Sequence, residues 1–460
     1  MDAPTRAVVE FVRSADFSSL SASCVHSIVR NLFDAVGCSA AGFNGEGTVI
    51  TRRLAGATGG DFAASAFGLP NLPLAEFAIL TNAAAVRDRD WHDGGLNAGH
   101  PSDTSPALIA VAEATDASIH DLIGAIFISY EVVGALGKDA QFDAKGLRPF
   151  ITSLATVAGT GKLLGLTDDE LANAIAISVA PSIPLNIDNL VRQSHWKSMG
   201  AAHASMTATL AARLAKEGMT GPPHVFDGQG AVWDTVTDRF DLDHLGLPVD
   251  GRSVPERVSH KFFPCFTESQ GPIAMMLDLR NEITPDEIES ITLTVTDVAW
   301  RQGAGELTPD NRKWDPPTKD IANHSLPYLV AKAFVDGPIT TGSFTPDDVL
   351  NTSLRPLMQK ISVLRDDDFS RRRKSVHEEN AVMEVELSDG RRIRRESRHP
   401  RGHALNPMSD EELTQKFDGS VARVLPEAAH SELHDRLWNL PNEPALSPIT
   451  ALFRDFANTP

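Results

Sequence analysis

The chain has 460 residues, with 61 acidic against 42 basic side chains and a formal net charge of −19. A surface this acidic is repelled by phosphate backbones and anionic lipid, so neither nucleic acid nor membrane is an expected partner. Only Cys24, Cys38 and Cys265 occur, with no CxxC pair, which argues against a disulfide framework, a structural zinc site or a cysteine-held iron–sulfur cluster.

The N-terminus lacks the basic-then-apolar layout of a signal peptide. The longest apolar run, 122–130, stops at Glu131, far short of a membrane span. A soluble, cytoplasmic protein is expected, and the length calls for two domains. Alanine-rich segments with helical spacing dominate the first 280 residues: 27–41, 74–86, 106–114, 120–136, 153–164, 168–180 and 196–217. Thr167-Asp-Asp-Glu170 is a capping box, and Gly165 and Gly218 stand where helix C-caps favour glycine. Small residues throughout predict helices packed closely on several sides.

The polar stretch from Arg87 to Asp103 interrupts this pattern with four carboxylates, two histidines and three glycines between two apolar helical runs. Loops carried on a rigid scaffold are where catalytic groups concentrate, and carboxylates beside imidazoles are the standard parts for moving protons near neutrality. The plain alternative is a solvated acidic loop. Lys197 opens the helical run 196–217, where the helix dipole already disfavours a cation unless an anion compensates it. Lys261 heads the apolar run Phe262-Phe-Pro-Cys-Phe266. Two lysines in apolar settings, close to an acidic histidine loop, suggest a pocket for a di- or tricarboxylate; the competing reading is two lysines reaching out to solvent. His195, His324 and Tyr328 are further polar candidates.

From residue 288 the period changes to two. Residues 290–297 alternate apolar with polar, 360–364 form a second strand candidate, and 382–387 and 392–395 flank an Asp389-Gly390 hairpin turn. Helices are expected at 324–335 and within 345–360, then at 411–417 and 426–456. The expected fold is mainly α: a large helical domain (1–275), a smaller α+β lid (276–405), and C-terminal helices (406–460) rejoining the first domain.

The ordered set Asp88-Arg-Asp-Trp91, His100-Pro-Ser102, Leu163-Leu-Gly-Leu166, Trp196-Lys197, Gly218-Met-Thr-Gly-Pro222, Lys261-Phe-Phe-Pro-Cys265 and Asn323-His-Ser-Leu-Pro-Tyr328 resembles the MmgE/PrpD family. That family contains 2-methylcitrate dehydratase, cis-aconitate decarboxylase and iminodisuccinate epimerase. The resemblance spans nearly the whole chain and implies a homodimer with a metal-free, cofactor-independent site between helical domain and lid. It implies His100 as acid/base, Asp88 and Asp90 as an acidic pair, and Lys197 and Lys261 as active-site lysines. His92, Ser102, His195, His324 and Tyr328 would contact substrate. Two departures stand out: Ile151 occupies the place of a family histidine, and Trp91 and His92 follow the acidic pair. The expected activity is dehydration of a 2-methylcitrate-like tricarboxylate. Decarboxylation of cis-aconitate, epimerisation of a related dicarboxylate, and a catalytically silent carboxylate-binding paralogue are the alternatives.

Overall fold

The computed structural model describes residues 1–97, 99–139, 148–182, 194–305 and 312–457. The long helices of the first half are α1 (Ala3–Ser14), α2 (Ala22–Gly42), α3 (Glu46–Ala55), α4 (Ala75–Asp88), α5 (Ser105–Ala114), α6 (Ile119–Asp139), α7 (Arg148–Leu163), α8 (Asp168–Val179) and α9 (Trp196–Lys216). α9 packs against α4, α7 and α8, and α6 against α7. Small side chains allow these approaches: Ala201, Ala202, Ala204, Ser205, Ala208, Ala211 and Ala212 of α9 are all buried. Within α6, Ile119–Gly137 is long and apolar enough to cross a membrane, yet 78% of its most apolar window is buried inside the fold. It is a core helix.

The second half opens with α10 (Gln270–Leu279) and builds a four-stranded sheet of β1 (Ile288–Val295), β2 (Ile361–Arg365), β3 (Ala381–Leu387) and β4 (Arg392–Ser397). The strand order is β2-β1-β3-β4, with β1–β2 parallel and the other pairs antiparallel. Alternation in β1 buries Ile291, Leu293 and Val295, which join Met383 and Val385 of β3, Ile273 and Met276 of α10, and Leu329 of α11 (Leu326–Asp336) in one apolar core. Phe263 and Cys265 also belong to that core, so it begins before residue 276.

Proline and capping chemistry account for the differences from periodicity alone. Residues 345–360 form two short helices, Pro346–Leu350 and Arg355–Met358, because Pro356 lacks the N–H that a continuous helix needs and starts a new one instead. α12 (Asp367–Val376) buries no residue, so no apolar stripe announced it; Asp366 caps it by accepting from Phe369 N. Residues 426–456 likewise divide into α14 (Glu427–Trp438) and α15 (Ser447–Arg454).

α13 (Asp410–Val421) returns to the helical half and packs on α2. Its Lys416 Nζ lies 2.7 Å from buried Asp34 and donates to the carbonyls of Trp91 (2.7 Å) and Lys261 (3.1 Å). One ammonium thus ties the returning helix to both segments that carry the polar cluster described below. Lys416→Met leaves Asp34 buried and unpaired, and we expect about 3–5 kcal/mol of destabilisation, the usual cost of removing one partner of a buried pair. Denaturant unfolding measures this, and Asp34→Asn in the same chain should recover part of the loss.

Candidate active site

Asp90 is the meeting point of four segments distant in sequence. It follows α4 in the left-handed region (φ +51°), a conformation that Asp tolerates better than most residues. Its carboxylate pairs with Lys261 Nζ, with Lys197 Nζ at 3.6 Å and with His324 Nε2 at 3.2 Å. Lys261 also donates to the Asp90 carbonyl at 2.7 Å. Burial by itself would raise the Asp90 pKa, but Lys261, Lys197 and His324 together hold it well below its ordinary value of 3.8. Asp90 is therefore the anion that the position of Lys197 demanded. Lys261 is only 3% exposed, so the solvent-reaching reading fails for it.

Local chemistry explains each placement. Gln270 accepts from the N–H groups of Phe262 (3.0 Å) and Phe263 (2.8 Å), which folds the turn presenting Lys261. Gly94 and Ser259 exchange backbone hydrogen bonds of 2.9 Å and lock the polar loop to that turn. Lys197 stands in the first turn of α9, where burial lowers its pKa and Asp90 opposes the shift. His324 precedes the Ser325 N-cap of α11 and stacks on Phe266 with ring centroids 5.2 Å apart. Burial and the nearby Lys197 push the imidazole down to about 3, so it is neutral at physiological pH. Nε2 faces Asp90 at 3.2 Å, while Nδ1 lies 3.2 Å from Lys197 Nζ and against Asn323 Oδ1.

His100 is held from beneath. Its Nδ1 donates to the Asp93 carbonyl at 2.5 Å, so Nε2 carries the lone pair. Burial, His92, Arg87 and Lys261 hold the ring well below its ordinary pKa of 6.5, and it stays neutral. The side chain of Asp93 completes the support. Its carboxylate accepts from Ser102 N (3.1 Å), Ser102 Oγ (2.6 Å) and Tyr130 OH (2.9 Å), while burial raises its pKa to about 7. His92 is fully buried, its Nε2 between Arg87 (3.2 Å) and Asp103 (3.3 Å) and its ring 4.2 Å from that of His100. The loop is not a solvated one: Asp90, His92, Asp93, His100, Ser102 and Asp103 are all buried.

A cleft of about 650 Å³ opens over Asp90, His100, Lys197, Lys261 and His324. Among the described residues, five cationic side chains line it, Arg87, Arg148, Lys197, Lys261 and Arg373, against three carboxylates, Asp90, Glu268 and Glu379. In a chain of net charge −19, that local excess of cations makes the cleft a site for an anion. Among the described residues, no group of three His, Cys, Asp or Glu side chains has the arrangement to hold a metal ion.

The remaining sequence candidates lie elsewhere. Asp88 lines a neighbouring cavity, where its carboxylate pairs with Arg89 (3.2 Å) and Lys319 (3.6 Å). Its carboxylate lies so close to Gly45 that no Cβ fits there. Neither Asp88 nor Asp90 backs His100; the Asp93 carbonyl does. His195 is exposed, pairs with Glu46 and lines the same neighbouring cavity as Asp88. Ser102 acts on Asp93 beneath the cleft. Tyr328 is fully buried in the lid core and donates to the Ser343 carbonyl at 2.9 Å. Ile151 is buried in an apolar cluster, while Arg148, one turn earlier on α7, reaches the cleft.

Sequence reasoning missed Asp93, Tyr130, Arg148, Glu268, Arg373 and Glu379 as parts of the site. Two of them left a trace. Tyr130 is one of only two tyrosines, on an apolar helix where a buried hydroxyl needs a partner. Arg373 belongs to the basic run 371–374 and reaches Asn97 Oδ1 (2.9 Å) and Glu268 (3.1 Å).

Asp90→Asn keeps the shape of the side chain but leaves two buried ammonium groups without their counter-charge. We expect about 3–5 kcal/mol of destabilisation in denaturant unfolding. Because the folded-state pKa of Asp90 is depressed, its contribution is fully present above 3.8 and is lost as pH falls toward the folded value. The gap between wild type and variant should therefore be constant from about pH 8 to 5 and shrink in more acidic buffer. A gap that instead widens below pH 5 would contradict the assignment.

Comparison with known proteins agrees with the geometry. Mouse cis-aconitate decarboxylase is 26% identical over 450 residues, covering 92% of this chain and 87% of its own length. The 2-methylcitrate dehydratase of Salmonella typhimurium is 24% identical over 387 residues, covering 78% and 77%. The MmgE/PrpD N-terminal domain matches residues 6–245 and the MmgE/PrpD C-terminal domain residues 263–440, so the two together take in both walls of the cleft. With Asp90, His100 and Lys197 in the first match, His324 in the second and Lys261 just before the second begins, this chain belongs to the MmgE/PrpD family.

Proposed function

We propose that this protein is a cofactor-independent lyase of tricarboxylates, and that it dehydrates a 2-methylcitrate-like substrate. The observation that carries this reading is a neutral His100, its lone pair on Nε2, lining a cleft rich in fixed cations. Proton abstraction α to a carboxylate builds charge on the carboxylate oxygens. Cations fixed there stabilise the transition state more than the ground state. In this reading the proton passes from carbon to His100 Nε2. The C–O bond breaks as the carbon–carbon double bond forms, and the hydroxyl leaves as water with a proton from the Lys197 ammonium. The depressed pKa of Lys197 makes it a better acid than a solvent-exposed lysine. Lys261 and Arg148 hold substrate carboxylates.

Decarboxylation is the second reading, favoured by the match to cis-aconitate decarboxylase over 92% of the chain. The bond to a carboxyl group would then break, CO₂ would leave, and the electron pair left on the carbon skeleton would take a proton from Lys197. Incubation with 2-methylcitrate, citrate and cis-aconitate, with products identified by mass, separates the readings. Loss of water supports the first and loss of CO₂ the second. Binding with no product leaves a silent carboxylate-binding paralogue.

His100→Ala should lower kcat by about two to three orders of magnitude, the usual scale for a proton-transfer group. Lys197→Ala and Lys261→Ala should lower kcat and raise KM together, because each acts before and during charge build-up. Partial rescue by Lys261→Arg would mark an electrostatic role. Near-normal kcat in a folded His100→Ala protein would remove His100 from the chemistry.

A further inference from the structure

Among the described residues, two of the three carboxylates lining the cleft are neutralised by neighbours. Asp90 is held by Lys261, Lys197 and His324, and Glu268 by Arg373. Glu379 differs: among the described residues its carboxyl makes no hydrogen bond and no ion pair. Its backbone is fixed nonetheless, since Glu379 N–H donates to the Arg398 carbonyl at 2.9 Å, just beyond the end of the β3–β4 ladder. Side chains alternate along an extended segment. Glu378 is engaged by Arg372 through two 2.6 Å bonds and by Asn380 at 2.8 Å, and Glu379 faces the cleft. A half-buried, unpartnered carboxyl group from the lid therefore lines a pocket otherwise suited to anions.

We propose that Glu379 donates a hydrogen bond from its carboxyl group to a carboxylate of the bound substrate, and so selects a ligand with an anionic group at that point of the cleft. This rests on reading the cleft as a tricarboxylate site. The charged groups facing Glu379 are Glu268 from the turn before α10, Arg373 from α12 and Lys261 from the preceding segment, with Arg148 and His100 lining the same cleft from the helical half. Burial and Glu268 raise its pKa to about 8, against the opposing pull of Arg373 and Lys261. At neutral pH the group is thus an acid with a proton to donate. Ionised, it would repel the ligand. The linkage has a definite sign: an anion beside Glu379 favours its protonated form, so binding weakens as pH rises through the free-state value, and the complex takes up a proton there.

The test is calorimetric titration of the full chain with propane-1,2,3-tricarboxylate, which has no hydroxyl to lose, at pH 6.5 to 9.5 in buffers of different ionisation enthalpy. For wild type, Kd should rise about fivefold from pH 8 to 9 and steepen toward tenfold per pH unit above that, with uptake growing from about half a proton at pH 8 toward one. Glu379→Gln keeps a donor and removes the titration, so its Kd at pH 7 should stay within about threefold of wild type and its alkaline slope should flatten. Glu379→Ala should weaken binding at pH 7 by roughly tenfold or more, the scale of one lost hydrogen bond to a charged group. Deprotonation of Lys197 would weaken binding in the same pH direction, but its slope would persist in Glu379→Gln; that result overturns the assignment. So does a Glu379→Ala protein that binds like wild type at pH 7. Either outcome leaves the tricarboxylate reading standing. If wild type fails to bind the probe at every pH, the tricarboxylate reading falls, and the role of Glu379 falls with it.

Discussion

The buried carboxylate of Asp90 is the constraint on which the rest of the site depends. Two ammonium groups and an imidazole converge on it from the start of α9, the turn before α10 and the segment before α11. Without it, Lys197 and Lys261 would be like charges forced together in a poorly solvated space. At an effective dielectric near 20, one ion pair at about 4 Å is worth roughly 4 kcal/mol. The left-handed backbone at Asp90 costs about 1–3 kcal/mol. The electrostatic gain is thus large enough to hold a loop conformation that the backbone alone would not choose.

That carboxylate also arranges work for the remaining charges. It satisfies the lysines in the resting protein, while Arg87 and Arg373 bring their own partners, Asp103 and Glu268, to the cleft and Arg148 lines it from the helical half. His100 is kept outside this ion cluster. A backbone carbonyl rather than a carboxylate fixes its tautomer, and burial with His92, Arg87 and Lys261 outweighs the upward pull of Asp90, so it remains an unprotonated base. The supporting layer of Asp93, Ser102 and Tyr130 uses three donors on one carboxylate to position that carbonyl. Acid and base are separated by environment: burial beside cations for the imidazole, burial beside a counter-charge for the lysines.

The lid closes the cleft from the other side with different material. α12 presents Arg373, the end of the β3–β4 ladder presents Glu379, and the segment before α11 presents His324. α13 then crosses back, and Lys416 binds the carbonyls of Trp91 and Lys261 while pairing with Asp34. The two walls are therefore fixed to each other at the residues that carry the chemistry.

Much of this was legible in the chain itself, for local reasons. Helices of the first half follow from apolar spacing and caps, and the Thr167 capping box is present with both its bonds. β1 follows from strict alternation, and the β3–β4 turn from Asp389-Gly390, with Gly390 at φ +87°. Lys197 and Lys261 stood out because ionisable groups in apolar surroundings need compensation, and His100 because it sits in a dense polar loop between apolar helical runs and in a motif of the family resemblance. Local pattern does not say which groups meet. Asp88 and Asp90 are two residues apart, yet the left-handed turn at Asp90 sends one to the cleft and the other to Lys319. Tyr328 and His324 share a motif, but four residues along the start of a helix separate a cleft residue from a core residue. Asp93 carries no local signal that distinguishes it from its acidic neighbours, and Arg148 and Glu379 gain their place only when two halves of the fold face one another. Periodicity, caps and turns act within a few residues and are written in the sequence. The pairing of charges across 171 residues, as between Asp90 and Lys261, is decided by the tertiary fold, because burial supplies the low dielectric that makes such pairs matter.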